Sequence, residues 1–176
     1  MLTDLSPLIA ATARWLTGAY PPSGGALAAA LCDVQARQAV TVAAWLRYPT
    51  DMDVALVTMA GPGGAARLDW ITGAERTGEE GADEDWAWRT WVDEVVASWA
   101  AGLLTDPELA RLAVAALAEG EHAAGTTAEF RRLLVPDDGD RRAAALLRHP
   151  DLLAPVAELH LDALLDRLGP GRTLAA

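Results

Sequence analysis

The chain has 176 residues, with 14 Lys+Arg against 25 Asp+Glu and a formal net charge of −11. Its hydrophobic fraction of 52% and charged fraction of 22% exclude wholesale disorder and suffice for one packed core without a stapling metal or disulfide. All the basic residues are arginine, and so acidic a chain is poorly suited to nonspecific nucleic-acid binding, which works by neutralising phosphates.

Cys32 is the one cysteine, which excludes an intrachain disulfide, a Cys-based metal cluster and a CxxC couple. It lies in the apolar run AAALCDV and is expected to be a buried structural thiol. The opening MLTDLSPLIAA lacks a basic leader and carries Asp4, so it does not read as a secretory signal. No stretch reaches roughly 18 uncharged apolar residues, so no membrane span is expected and a cytoplasmic setting is the default. The negative charge is local: the net is −1 over 1–60, −8 over 61–108 and −2 over 109–176. It gathers in Glu75, Glu79, Glu80, Asp83, Glu84 and Asp85. Together with the neighbouring glycines, these predict an acidic loop at about 73–85.

Helix signals dominate the chain in order. Ser6-Pro7 reads as a cap with a first-turn proline, followed by Leu8, Ile9, Thr12, Trp15 and Leu16 at helical spacing. After Gly24-Gly25, a long helix shows Leu27, Leu31, Val34, Gln38, Val42 and Trp45 as its stripe, until Pro49. Thr50 and Asp53 form a relative of the capping box, so DMDVALVTMA reads as a short helix rather than a strand. Glycines 61, 63 and 64 break it, and ARLDWIT reads as another. A helix from about Asp83 to Leu103 carries Trp88, Trp91, Val92, Val95 and Trp99. Thr105-Asp106-Pro107-Glu108 is a capping box with Thr105 as cap, and Thr126 with Glu129 repeats it. Asp137 to Asp140 makes a turn. Asp151 is expected to cap a final helix on which Leu152, Leu153, Val156, Leu159, Leu161, Leu164, Leu165 and Leu168 cover more than half the circumference.

These elements predict an all-α fold, a bundle of about six to eight helices forming one domain over 1–176. The core is expected to contain Trp15, Leu31, Val42, Trp45, Trp88, Val92, Val95, Trp99, Leu112, Leu117, Phe130, Leu133, Val156 and Leu159. An echo between Ala44–Pro49 and Ala145–Pro150 resembles the turns of HEAT-like helical repeats and leaves a repeat-like packing open, although no regular period joins the two.

Candidate chemistry is sparse. Glu119 and His122 form one Glu-x-x-His, where a carboxylate-bridged di-metal bundle needs two. Glu94 lies on the Trp-rich helix, and His160 on the last one. Glu94, Glu119, His122 and His160 are the candidate catalytic groups. Asp137, Asp138 and Asp140 look superficially like an aspartate-rich magnesium motif, but Pro136 and Gly139 favour a turn. Phosphate-loop, dinucleotide, zincin and nucleophile-elbow motifs do not occur, so no cofactor and no metal are expected. The segment Glu129–Pro136 is similar, at Phe130 and Leu133, to part of the helical chaperones that mature molybdenum oxidoreductases. Leu134 stands where their second aromatic would be.

The leading functional expectation is a non-catalytic interaction or adaptor protein. Its contacts would be Glu79, Glu80, Asp83 and Glu84 of the acidic loop, with Leu161 and Leu165 of the last helix meeting a protein partner or a second copy. The alternative is a small helical enzyme or apolar-ligand-binding protein with a Trp-lined pocket, whose polar group is Glu94 or His122.

Overall fold

The computed structural model describes residues 4–73, 87–118, 120, 122 and 130–169. Within these the chain is all-α, and strand-type pairing is limited to an isolated antiparallel bridge between Gly63 and Asp93. The acidic residues Glu79, Glu80, Asp83 and Glu84, the candidate Glu119 and the Thr126–Glu129 box lie outside the described residues.

Helix α1 (Ser6–Ala19) runs beside the long α2 (Ala26–Arg47). The α1 cap differs from expectation. Ser6 is already helical, and Asp4 accepts from its backbone N at 2.8 Å. Helix α3 (Asp51–Ala60) starts at a true capping box, with Asp53 N donating to Thr50 Oγ1 and Thr50 N donating to the Asp53 carboxylate. Helix α4 (Ala66–Thr72) stops at Gly73, whose φ of 67° is the left-handed end that glycine adopts without strain.

The Trp-rich segment is not one helix. A 3₁₀ turn (Ala87–Trp91) ends at Val92, and Asp93 then caps α5 (Glu94–Thr105) by accepting from Val96 N at 3.0 Å. Aspartate competes well for free N–H groups at a helix start, and this outweighs the apolar periodicity running through it. Asp93 is buried. It accepts from the Tyr48 hydroxyl, and its own N–H donates to Thr12 Oγ1 at 3.3 Å. Helix α6 (Pro107–Leu117) is capped by Asp106 rather than by Thr105. The Thr105 hydroxyl instead donates back to Ala101 O, inside the last turn of α5.

After α7 (Arg131–Leu134), α8 (Asp138–Ala143) begins with the reciprocal Asp137–Asp140 box, so the expected turn is a helix start. Arg132 pairs with Asp140 and Arg141 with Asp138. The final helix is also broken. Helix α9 (Pro150–Ala157) contains Pro155, a 3₁₀ turn follows at Glu158–His160, and α10 (Leu161–Leu168) completes the segment. His149 is the α9 cap residue and Asp151 lies within its first turn, so Asp151 is not the cap. The echoed Arg-x-Pro sites differ in role. Pro49 precedes the α3 cap, while Pro150 is the first helical residue of α9. They are two helix junctions built differently.

Helix α2 is central, packing on α1, α5, α6, α7 and α8. Its buried face is not the stripe of large residues. Leu27 is 74% exposed and Leu31 half-buried, while Ala36, Ala39, Ala43 and Ala44 are buried. Alanine pairs this face with Ala97, Ala100 and Ala101 of α5, a small-residue side that lets two helices come close. Large apolar volume comes instead from Leu8, Leu16, Leu103, Leu104, Phe130, Leu133, Leu147, Leu153 and Leu164. Each such side chain contributes about 1.5–3 kcal/mol on burial. Of the expected core, Trp15, Val42, Val92, Trp99, Leu117, Phe130, Leu133 and Val156 are buried. Leu31, Trp45, Trp88, Val95, Leu112 and Leu159 are half-buried. Gln38, which interrupts the α2 stripe, accepts from Leu133 N at 3.0 Å and so fixes α7.

Candidate functional site

Glu94 and His160 are brought together from positions 66 apart in sequence. The Glu94 Oε1 lies 2.7 Å from His160 Nε2 and accepts from Arg67 Nη1 at 2.9 Å. One turn along α5, Ser98 donates to Ala157 O at 3.1 Å and accepts from His160 N at 3.0 Å. Trp99 Nε1 donates to His160 O at 3.0 Å. The cluster therefore satisfies the backbone groups released where Pro155 and the 3₁₀ turn interrupt the last helix. An imidazole and a carboxylate at this distance can exchange a proton. The neighbouring hydroxyl, however, is fully buried and engaged on both sides by backbone, so it supplies no nucleophile.

His122 has a different task. Its ring stacks on Trp45 with centroids 5.4 Å apart, and its Nε2 lies 3.1 Å from Tyr48 O. It docks on the C-terminal end of α2 and does not approach Glu94 in any contact given by the structure. No cluster of His, Cys, Asp or Glu able to hold a metal occurs among the described residues. Asp137 and Asp140 are used up in capping their helix.

A cleft of about 520 Å³ lies between α1, α2 and the 3₁₀ turn. Arg14, Thr17, Asp33, Arg37, Trp88 and Trp91 supply its polar and aromatic wall. Trp88 and Trp91 line this cleft, whereas Trp99, Glu94 and His122 are not among its lining residues. Its cations are Arg14 and Arg37, which spacing alone did not single out. Arg14 stands three residues after Ala11 and three before Thr17 on α1, and Arg37 four after Asp33 on α2, so each shares a helix side with other lining residues.

The surface carries one further feature. Along α3, Met52, Leu56 and Met59 are 69%, 57% and 84% exposed, while Val54 and Val57 on the other side are buried. Residues at i, i+4 and i+7 share one helical face, so the three form a stripe. Trp70 of α4 is exposed as well. Reading DMDVALVTMA as a helix did not reveal which of its apolar sides faces inward. By contrast, Leu161 and Leu165 are half-buried against the core beside the fully buried Leu164, which uses part of the face that self-association would need. None of the described helices is long and apolar enough to cross a membrane. Comparison with protein-family models, curated proteins and solved structures finds no match to the chain.

Proposed function

We propose that this chain is a non-catalytic interaction protein whose docking face is the outer side of α3. The carrying observation is the exposed stripe Met52, Leu56 and Met59. A short helix that is apolar on both sides calls for cover on both sides, and here only Val54 and Val57 have it. Methionine supplies a flexible, polarizable contact that adapts to a partner's shape.

The occupant we favour is an amphipathic helix with basic flanks from another protein. Helix α3 itself carries Asp51 and Asp53 and no cation, with Asp53 engaged by Thr50 and faced by Arg47 and Arg167 at the end away from Met59. A second copy of this chain would bring another net −11 to the contact, whereas a basic partner is steered toward it. Glu79, Glu80, Asp83 and Glu84 add to that net charge. The tie-up of Ser98, Glu94 and His160 in backbone and ion-pair contacts favours this reading over a small enzyme.

A photo-crosslinking amino acid in place of Met59, activated in the expressing cell, tests the reading. The expected adduct is with a different protein, at an amphipathic basic segment, and Leu56→Glu diminishes it. Adducts between two copies of the chain would replace this reading with self-association. An adduct pattern insensitive to Leu56→Glu would contradict docking on α3.

A further inference from the structure

The geometry points to the cleft between α1, α2 and the tryptophan turn as a binding site for a small aromatic carboxylate. Its volume, about 520 Å³, lies within the range of small-molecule sites. The Arg14 guanidinium lies 4.7 Å from the centroid of the Trp88 ring. An arginine on an indole face is held by cation–π attraction and keeps its N–H groups available to a planar acceptor. Among the described residues, Arg14 has neither a carboxylate partner nor a side-chain hydrogen bond. Arg37 pairs with Asp33 Oδ2 through Nε at 2.7 Å, a bond that leaves its terminal nitrogens uncommitted among the described residues.

The cleft therefore sets two guanidinium groups against one carboxylate, in a chain whose overall charge is −11. Among the described residues this leaves one unmatched positive charge beside Trp88 and Trp91, which fits a monoanion with an aromatic ring. Arg14 and Arg89 both lie against the Trp88 ring, so Trp91 takes the ligand's ring by stacking, and Arg14 takes the carboxylate. A dianionic phosphate would leave one charge unmet. Thr17 is not the anchor, because its hydroxyl already donates to Ala13 O and Arg14 O.

Calorimetric titration of the full chain with 2-naphthoate, and with uncharged 2-naphthamide as its counterpart, tests this. Saturable 1:1 binding of naphthoate is expected, about tenfold or more tighter than that of the amide. Arg14→Gln should bring the two affinities together, and Arg37→Gln should weaken naphthoate in the same direction. Arg14 is exposed, so its variant is expected to keep the wild-type unfolding midpoint. Trp91→Leu should weaken both ligands. Equal affinities for the two ligands, no saturable heat, or a naphthoate affinity unchanged by Arg14→Gln in the folded variant would each overturn the assignment.

Discussion

Ser98→Ala removes one hydroxyl and strands two backbone groups. Ser98 is fully buried, donates to Ala157 O at 3.1 Å and accepts from His160 N at 3.0 Å. A buried polar group left without a partner costs about 1–3 kcal/mol, so two of them imply a loss of about 2–4 kcal/mol after partial relaxation. The neighbouring contacts rank below it. Trp99→Phe keeps most of the ring's burial but loses the bond to His160 O, a loss of about 1 kcal/mol. Glu94→Gln weakens pairs that reach solvent, since the Glu94 and His160 side chains keep 23% and 28% of their exposure and Arg67 keeps 61%. Its expected cost is below about 1 kcal/mol. Urea unfolding followed by circular dichroism measures all three. A Glu94→Gln loss equal to or larger than that of Ser98→Ala would refute the view that Ser98, rather than the ion pair, holds the broken last helix to α5.

Three other outcomes follow from buried and capping groups. Tyr48→Phe leaves the buried Asp93 carboxylate without its hydroxyl donor and should cost about 1–3 kcal/mol in the same assay; an unchanged midpoint would contradict that contact. Burial pushes the Cys32 thiol up to about 11, so its reaction with Ellman's reagent at pH 8 should proceed at the rate of unfolding, and fast labelling of the native chain would refute its burial. The Thr50 hydroxyl bond holds the Asp53 carboxyl below its ordinary range. A depressed folded-state value means its capping contribution is complete above the unfolded value and drains as pH falls through the folded one. Protection of the first-turn amides of α3, taken relative to the intrinsic exchange rate at each pH, should therefore fall below about pH 4 in the wild type and not in Asp53→Asn; a pH-independent wild-type protection would contradict it.

Much of the fold was legible because local chemistry decided it. The Thr50–Asp53 box, the Gly61 stop and the prolines at 7 and 107 all mark real helix ends. Periodicity misled where a polar residue had a stronger local use. Asp93 cut the Trp-rich run because its carboxylate caps α5 and meets Tyr48, a contact 45 positions away. The α2 stripe failed for a packing reason. Helix spacing marks large apolar residues, but a helix surrounded by neighbours buries its alanines where those neighbours come closest. Glu94 and His160 were visible as candidates, yet their pairing depends on the break at Glu158–His160, which nothing but tertiary contact with Ser98 and Trp99 defines. The exposed stripe of α3 was hidden in plain composition, since α3 is apolar on two sides and only packing chooses between them.

The central claim is that α3 docks a basic amphipathic helix, and the direct measurement is fluorescence anisotropy with a labelled Leu/Arg amphipathic peptide of about 18 residues, long enough for five turns. The protein is compared with its Met52→Glu, Met59→Glu double variant at one ionic strength. The variant adds two negative charges, so attraction by charge alone makes it bind more tightly. Docking on the apolar stripe predicts the opposite, a loss of about tenfold or more despite the added charge. Equal or tighter binding by the variant would contradict the account.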